Sequence, residues 1–178
     1  MATTTTWVLD PTHSEVQFKV KHLVISTVTG NFRHFDGKAV STEDGFENAE
    51  IEFTIDVNSI DTNQDQRDTH LKSADFFDAE NHPKIIFKSS SFKSTGEDKY
   101  KLIGDLTIRE TTKQIELDVE YGGTATDFYG NVKAGFEVSG KISRKEYGLL
   151  WSGITEAGTI VVGDEVKLLL SVQFVKQG

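Results

Sequence analysis

The chain has 178 residues, a formal net charge of −9 and no cysteine. This length suits one domain whose core is large enough to be stable without cross-links. The negative charge opposes a phosphate backbone, and the lysines and arginines are scattered among acidic residues, so nucleic acid is excluded as a partner. The missing cysteines exclude disulfides and thiol chemistry. No stretch reaches the roughly 18 apolar residues of a transmembrane helix.

The first residues, "MATTTTWVLDPTHSE", have neither the basic start nor the apolar run of a secretory signal. As given, the sequence therefore predicts a cytoplasmic protein, or a periplasmic one if a leader was removed. Residues 1–6 are expected to form a disordered or loosely ordered tail. Residues 7–176 are expected to form a single domain.

Apolar and polar residues alternate with a period of two along most of the chain, which predicts β-strands. Turn residues such as Gly, Asp and Asn separate the runs. The pattern gives about eight strands. In chain order they include Glu15–Lys21, Val28–Val40, Glu50–Val57, Lys84–Phe92, Tyr100–Ile108, Ile115–Tyr121, Val132–Ile142 and Val166–Phe174.

The stretch between Asp61 and Pro83 breaks this rhythm and is expected to contain a short helix. Thr62 or Asn63 is predicted to cap its first turn. Its predicted common face, at i, i+4 and i+7, consists of Arg67, Leu71 and Ala74. A second helical turn is considered at Leu23–Ser26.

These elements predict an all-β fold, an eight-stranded antiparallel up-and-down β-barrel with one or two short helices. Closure is favoured because it removes the exposed strand edges. A β-sandwich is the alternative. A barrel of this strand number either holds one small ligand or fills its interior with side chains, and the pattern leaves both open.

Four motifs carry a family resemblance. They are "DPTHSEVQFKVKHLVISTVTGNF", "SIDTNQDQRDTHLKSADFFDAENHPKIIFKS", "GDLTIRETTKQIELDV" and "ISRKEYGL". In this order they resemble the YceI-like family of lipid- and polyisoprenoid-binding proteins over almost the whole chain, although Glu110 stands where that family often has glycine. The resemblance implies a bacterial, lipocalin-like barrel, often a homodimer, with a hydrophobic small molecule such as an isoprenoid quinone or prenyl lipid inside it.

The resemblance also implies that inward-facing apolar side chains line the tail of this ligand. The predicted lining residues are Phe18, Val20, Phe32, Phe53, Ile55, Leu106, Ile108, Leu117, Val119, Phe136, Val138, Leu168 and Leu170. Residues assigned to a lid or to contact with a polar head group are Arg67, His70, Phe76, Phe77, Arg144 and Trp151. The alternative for all of them is a structural role in packing and pairing.

Catalysis is tested against the same residues. Asp68 and His70 lie two apart on a predicted helix and project to different sides. The serines lie in no nucleophile elbow, and the five histidines lack the spacing of a helical metal site. No catalytic residue, metal site or cofactor is therefore assigned. The expected function is non-enzymatic binding, transport or storage of a polyisoprenoid or similar amphiphile; the alternatives are a barrel enzyme for a small hydrophobic substrate and an interaction module with a filled barrel.

Overall fold

Strands dominate the computed structural model, which describes residues 4–22, 25–42, 45–149 and 162–177. The strands are Thr4–Leu9 (β1), Glu15–His22 (β2), Ser26–Phe32 (β3), Phe35–Thr42 (β4), Gly45–Asp56 (β5), Ile60–Asp61 (β6), Lys84–Gly96 (β7), Lys99–Ile108 (β8), Thr111–Thr126 (β9), Val132–Ser143 (β10) and Val162–Lys176 (β11). An α-helix spans Asp65–Lys72 (α1), and short 3-10 turns lie at Pro11–His13, Val57–Ser59 and Arg144–Tyr147.

The sheet closes into an antiparallel barrel. Its order is β1-β4-β5-β7-β8-β9-β10-β11, and β11 pairs back with β1. β2 continues β1 after a bend at the Pro11–His13 turn, and β3 pairs with β2 and leads into β4. β11 therefore pairs with β2 over Val162–Ser171 and with β1 over Phe174–Lys176. The predicted eight-stranded up-and-down barrel is therefore confirmed.

The two ends of the barrel differ. The helix end carries residues 65–83, which we call the α1 segment, together with residues 109–110 and 144–149. The opposite end, the hairpin end, carries the turns at residues 97–98 and 127–131. The inward sides of the strands form one core between these ends.

The chain is ordered earlier than the sequence predicts. Thr4–Thr6, placed in the expected tail, belong to β1 and pair with Val40–Thr42 of β4. The alternation rule misses them because a run of threonines shows no change of polarity. Pairing with a neighbouring strand satisfies their backbone groups, and Trp7 just beyond them is buried.

The α1 segment differs from its prediction in its cap. The helix starts after Gln64, which makes no side-chain cap bond. Instead, the carboxylate of Asp68 accepts bonds from the amide of Thr62 at 2.8 Å and from its hydroxyl at 2.5 Å. Thr62 was predicted to accept a bond from the first turn of the helix, but in the structure it donates two bonds to Asp68 of that turn. Ala74 lies beyond the helix, so the predicted common face is wrong at that position.

The second helix considered at Leu23–Ser26 falls partly outside the described residues. Ser26, its last member, begins β3 and pairs with His22 of β2. Among the described residues, α1 is the single α-helix.

β5 and β7 pair over only part of their length. Their ladder joins Glu52–Asp56 to Lys84–Lys88, although both strands continue toward the hairpin end. There, a side chain replaces the ladder, because the Ile51 amide donates to Ser89 Oγ at 2.8 Å. We call this part of the wall, between β5 and β7 on the hairpin-end side of the ladder, the seam.

Asp10 connects the bend between β1 and β2 to Lys133 on β10. Its carboxylate accepts from Lys133 Nζ at 2.8 Å and from the Thr12 amide at 3.1 Å, and it lies 2.7 Å from His13 Nδ1. The bond to Lys133 is the largest influence that holds the pKa of Asp10 well below its usual range. A depressed pKa means that the ionised carboxylate stabilises the folded state.

We expect Asp10→Asn to lower the free energy of unfolding by about 1.5–3 kcal/mol at pH 7, the usual worth of hydrogen bonds to a charged group. This stabilisation is complete above the unfolded-state pKa near 4 and is lost as the pH falls through the lower folded-state value. Urea unfolding at pH 7 and pH 2 should therefore show the two proteins converging in acid. Asp118→Asn, at an exposed pair with Lys101, is the control and should change little. A difference at pH 2 as large as that at pH 7 contradicts the prediction.

Candidate functional site

One cavity of about 190 Å³ lies inside the barrel. Side chains from the inward sides of the strands and from the α1 segment form its walls. Gln17 and Arg144 are polar, and the other lining residues are aliphatic or aromatic. Such a cavity suits an apolar ligand, because a polar one would have few partners for its hydrogen bonds.

All of the predicted lining residues lie around this cavity. They are Phe18, Val20, Phe32, Phe53, Ile55, Leu106, Ile108, Leu117, Val119, Phe136, Val138, Leu168 and Leu170. The period-two pattern places them correctly because every second residue of a barrel strand points inward. That these residues hold a ligand stays a prediction.

The sequence reasoning missed several lining residues toward the hairpin end of the barrel. Phe174 shares the inward parity of its strand and was within reach of the same rule. Phe92 does not, because the register of β7 shifts between Ser89 and Ser91, so that Phe92 points inward although it is out of step with Ile85 and Phe87. Trp7 precedes the first predicted strand, and Phe46 is the second residue of β5, ahead of the predicted strand that starts at Glu50. For these two, strand alternation offers no signal.

An aromatic cluster closes the hairpin end. The ring of Phe46 lies 5.3 Å from Trp7, 5.3 Å from Tyr121 and 5.1 Å from Phe136, measured between centroids. Trp7 is fixed by a bond of 2.9 Å from its Nε1 to Ser41 Oγ. We call Trp7, Phe46, Tyr121 and Phe136 the plug. Tilted and edge-to-face rings at these distances attract one another modestly beyond the area that they bury.

The α1 segment closes the helix end. Phe76 is buried and Phe77 half-buried, and both line the cavity together with Leu71. Phe77 meets Phe32 edge-to-face with 6.0 Å between centroids. The two phenylalanines of the predicted lid thus both face the interior.

Arg67 and His70 are not among the lining residues. Arg67 donates from Nε to Thr62 Oγ1 at 2.7 Å and from Nη2 to the Thr62 carbonyl at 2.6 Å. His70 Nε2 lies 2.9 Å from Asp75 Oδ2. These contacts hold the α1 segment in shape. Trp151 falls outside the described residues.

Arg144 is the one charged residue among the described residues that line the cavity, and it is only 3% exposed. It donates to three backbone carbonyls: Nη1 to Leu149 at 2.6 Å, Nε to Gly163 at 2.7 Å and Nη2 to Val162 at 2.9 Å. Burial lowers the pKa of its guanidinium, but an arginine stays protonated in proteins. The cavity therefore has a positive charge at its helix end.

Arg109 was not among the predicted site residues. It joins the α1 segment to residues 144–149 at the helix end. Its Nη1 donates to the carbonyl of Phe76 at 3.2 Å and to that of Gly148 at 3.1 Å. It occupies the left-handed region with φ of 56°, so the turn before β9 does use an unusual dihedral, one residue before Glu110.

We expect Arg109→Gly to loosen the α1 segment without unfolding the barrel. Glycine tolerates the positive φ, so the lost bonds to Phe76 and Gly148 dominate the effect. Hydrogen exchange of the amides near Phe76 should speed up by about fivefold to tenfold, in line with the loss of about 1 kcal/mol. Asp98→Gly, with φ of 56° at the hairpin end, is the matched control. Unchanged exchange at Phe76 contradicts the prediction.

Within the described residues, no helix is long and apolar enough to cross a membrane. In the same part of the chain, no three His, Asp or Glu residues are grouped to hold a metal ion.

Solved structures with a similar fold cover nearly the whole chain. BcnA of Burkholderia cenocepacia has a TM-score of 0.81 and 22% identity, covering 93% of this chain and 98% of that one. A YceI protein of Campylobacter jejuni has a TM-score of 0.73 and 31% identity, covering 89% and 90%. A polyisoprenoid-binding domain of Saccharophagus degradans has a TM-score of 0.67 at 14% identity, covering 99% and 100%, which shows a shared fold alone.

Sequence relatives extend over a similar range. A UPF0312 protein of Pectobacterium carotovorum is 36% identical over 165 residues, 93% of this chain and 82% of the relative. One of Staphylococcus epidermidis is 36% identical over 166 residues, 93% of this chain and 94% of the relative. The family model of the YceI-like domain matches residues 7–174. With its closed barrel and these matches, the chain belongs to the YceI-like family.

Proposed function

We propose that this protein binds a polyisoprenoid or a similar long amphiphile inside its barrel and carries or stores it without chemical change. The observation that carries the proposal is the apolar cavity with Arg144 at one end. Its aliphatic and aromatic walls suit a hydrocarbon tail, and its guanidinium suits a polar head.

Removing a tail from water supplies the driving force, about 25 cal/mol for each Å² of apolar surface buried. The cavity of about 190 Å³ is smaller than the roughly 300–1,000 Å³ of common ligand sites. A long tail therefore requires lining side chains to rotate aside. Phe77, Leu168 and Leu170 are half-buried and are the proposed movers, because they are held less tightly than the buried core.

The position of Arg144 gives the cargo a direction. A tail that starts beside this guanidinium runs along the barrel toward the plug at the hairpin end. A head with an oxygen acceptor, such as a phosphate or a quinone carbonyl, would accept a bond from the arginine, and charge would favour the phosphate. An isoprenoid quinone and a prenyl phosphate are thus both covered by the proposal.

One structural neighbour supports the same class of ligand. The Saccharophagus degradans neighbour is named for binding polyisoprenoid, and the barrel is of the same fold. The cavity of this chain extends the analogy, since its described lining residues other than Gln17 and Arg144 are apolar. The homodimer and the cytoplasmic location stay predictions, and light scattering tests the first.

The proposal is tested by what the purified protein retains. Native mass spectrometry before any detergent step should show a mass above that of the chain, and an organic extract should contain a lipid with an isoprenoid tail. Protein denatured and refolded without lipid is the control and should lack that mass. An extract without lipid, together with no binding of an added isoprenoid quinone or prenyl phosphate, would falsify the carrier. Turnover of the bound molecule would favour the barrel enzyme instead.

A further inference from the structure

Two aromatic side chains stand in solvent at the tip of the β9–β10 hairpin. Phe128 is fully exposed, at 101% of its reference surface, and Tyr129 is 88% exposed. Their rings contact each other edge-to-face with 6.5 Å between centroids. Exposed aromatic pairs are costly in water and mark sites of interaction.

The turn holds these rings outward. Asp127 Oδ1 accepts from the amides of Tyr129 and Asn131, both at 2.9 Å, and Gly130 has a φ of 84° that suits glycine. Lys133 Nζ lies 3.5 Å from the Asp127 carboxylate. The tip is therefore a shaped turn whose geometry keeps the two aromatic residues apart from the core.

The tip also projects beyond the barrel wall. β8 begins at Lys99, opposite Glu120 of β9, so the later residues of β9 extend past that neighbour. Tyr121, where this extension starts, is a member of the plug. The tip thus lies at the hairpin end, the same end as the plug and the seam.

We infer that the tip formed by Phe128 and Tyr129 docks the hairpin end on a lipid bilayer with neutral head groups. The inference rests on the proposed function, because a carrier of a membrane amphiphile must meet the membrane where its cargo resides. Phe and Tyr together suit the boundary between head groups and acyl chains, where a ring is buried and a hydroxyl stays in contact with water.

The small area of the tip and the net charge of the protein favour a neutral bilayer over a protein partner or an anionic membrane. The two aromatic residues offer about 150–250 Å² each, well short of the roughly 800 Å² per partner in a stable protein interface. A convex tip can still insert into a bilayer, which adapts to its shape. The net charge of −9 opposes an anionic surface, so a neutral lipid is favoured.

Docking through Phe128 and Tyr129 determines which end of the barrel the cargo enters. Docking at this end brings the plug and the seam to the membrane, with Arg144 at the far end of the cavity. The cargo would enter head first, past Phe46 or between β5 and β7 where the ladder is interrupted, so that its head reaches Arg144 and its tail lies toward the plug.

Sedimentation with phosphatidylcholine vesicles tests the docking. The wild-type protein should bind, and the double variant Phe128→Ser with Tyr129→Ser should partition at least about tenfold less, since two buried rings are lost. Ile25→Ser is the matched control, an 85% exposed residue at the helix end, and should bind like the wild type. Replacing a third of the lipid by phosphatidylserine should weaken binding.

Other results overturn the inference. No binding of the wild type, equal binding of the double variant, or loss with Ile25→Ser would each do so. A change of oligomeric state in the double variant, measured by light scattering, would assign the tip to a second copy of the chain. The retained lipid separates this inference from the proposed function: cargo without vesicle binding removes only the docking, and vesicle binding without cargo removes only the carrier.

Discussion

Val138→Trp should abolish cargo retention while the barrel stays folded. Val138 lines the cavity and lies on β10 between Val119 of β9 and Leu170 of β11. An indole at this position extends from the wall into a cavity of about 190 Å³ and occupies the path of a tail. Overpacking costs about 1–3 kcal/mol in a filled core, and less where a cavity accepts the added atoms.

The measurement is the lipid content of an organic extract, compared at equal protein concentration, with urea unfolding to confirm the fold. The matched control is Ser139→Trp, because Ser139 is the next residue of the same strand and is exposed. It adds the same ring to the outside of the barrel and should leave the lipid content unchanged. If Val138→Trp retains cargo as the wild type does, the cargo lies elsewhere and the carrier proposal loses its site.

Much of the barrel follows from its sequence because strand patterning is a local property. Phe18, Phe53 and Leu117 are inward residues that alternate with polar neighbours, and each points into the cavity. Closure of the barrel was predicted as well. Short connections and few prolines allow continuous strands, and pairing of the first and last strands removes the exposed edges of the sheet. The four N-terminal threonines carry no such alternation, so β1 was not predicted as a strand over residues 4–6.

The two ends of the cavity could not be predicted in the same way. Phe46 closes the hairpin end through contacts with Trp7 and Tyr121, which are far from it in sequence. Arg109, whose backbone adopts a positive φ, joins Phe76 to Gly148. Such contacts depend on the assembled tertiary structure, and neither periodicity nor residue type encodes them.

The charged motif "QRDTHLKSADFFD" shows where residue type misleads. Arg67 and His70 were predicted to contact a head group, but in the structure Arg67 contacts Thr62, just before the α1 segment, and His70 contacts Asp75 within it. Arg144, in a less conspicuous motif, lines the cavity. A short helix can turn its polar side chains toward its own loop, so that spacing alone does not decide which of them reaches the interior.

Arg144→Met should destabilise the protein by about 3–5 kcal/mol, because three backbone carbonyls lose a charged donor and each such bond contributes about 1.5–3 kcal/mol. The carbonyls of Leu149, Gly163 and Val162 each lose the donor that now reaches them at 2.6–2.9 Å. Urea unfolding gives the measurement. Lys145→Met, at the neighbouring exposed position, is the control and should change the free energy of unfolding by less than about 0.5 kcal/mol.

Arg144→Lys separates the structural role of this residue from contact with cargo. Lysine keeps the charge but loses the fork of donors that reaches three carbonyls, so part of the stability should be lost. A phosphate head would still meet a positive charge, whereas a quinone carbonyl would lose a directed bond. Retention of prenyl phosphate with loss of quinone in the folded lysine variant therefore identifies Arg144 as a head-group contact. Equal retention of both ligands would show that the guanidinium of Arg144 serves only to bind the carbonyls of Leu149, Val162 and Gly163.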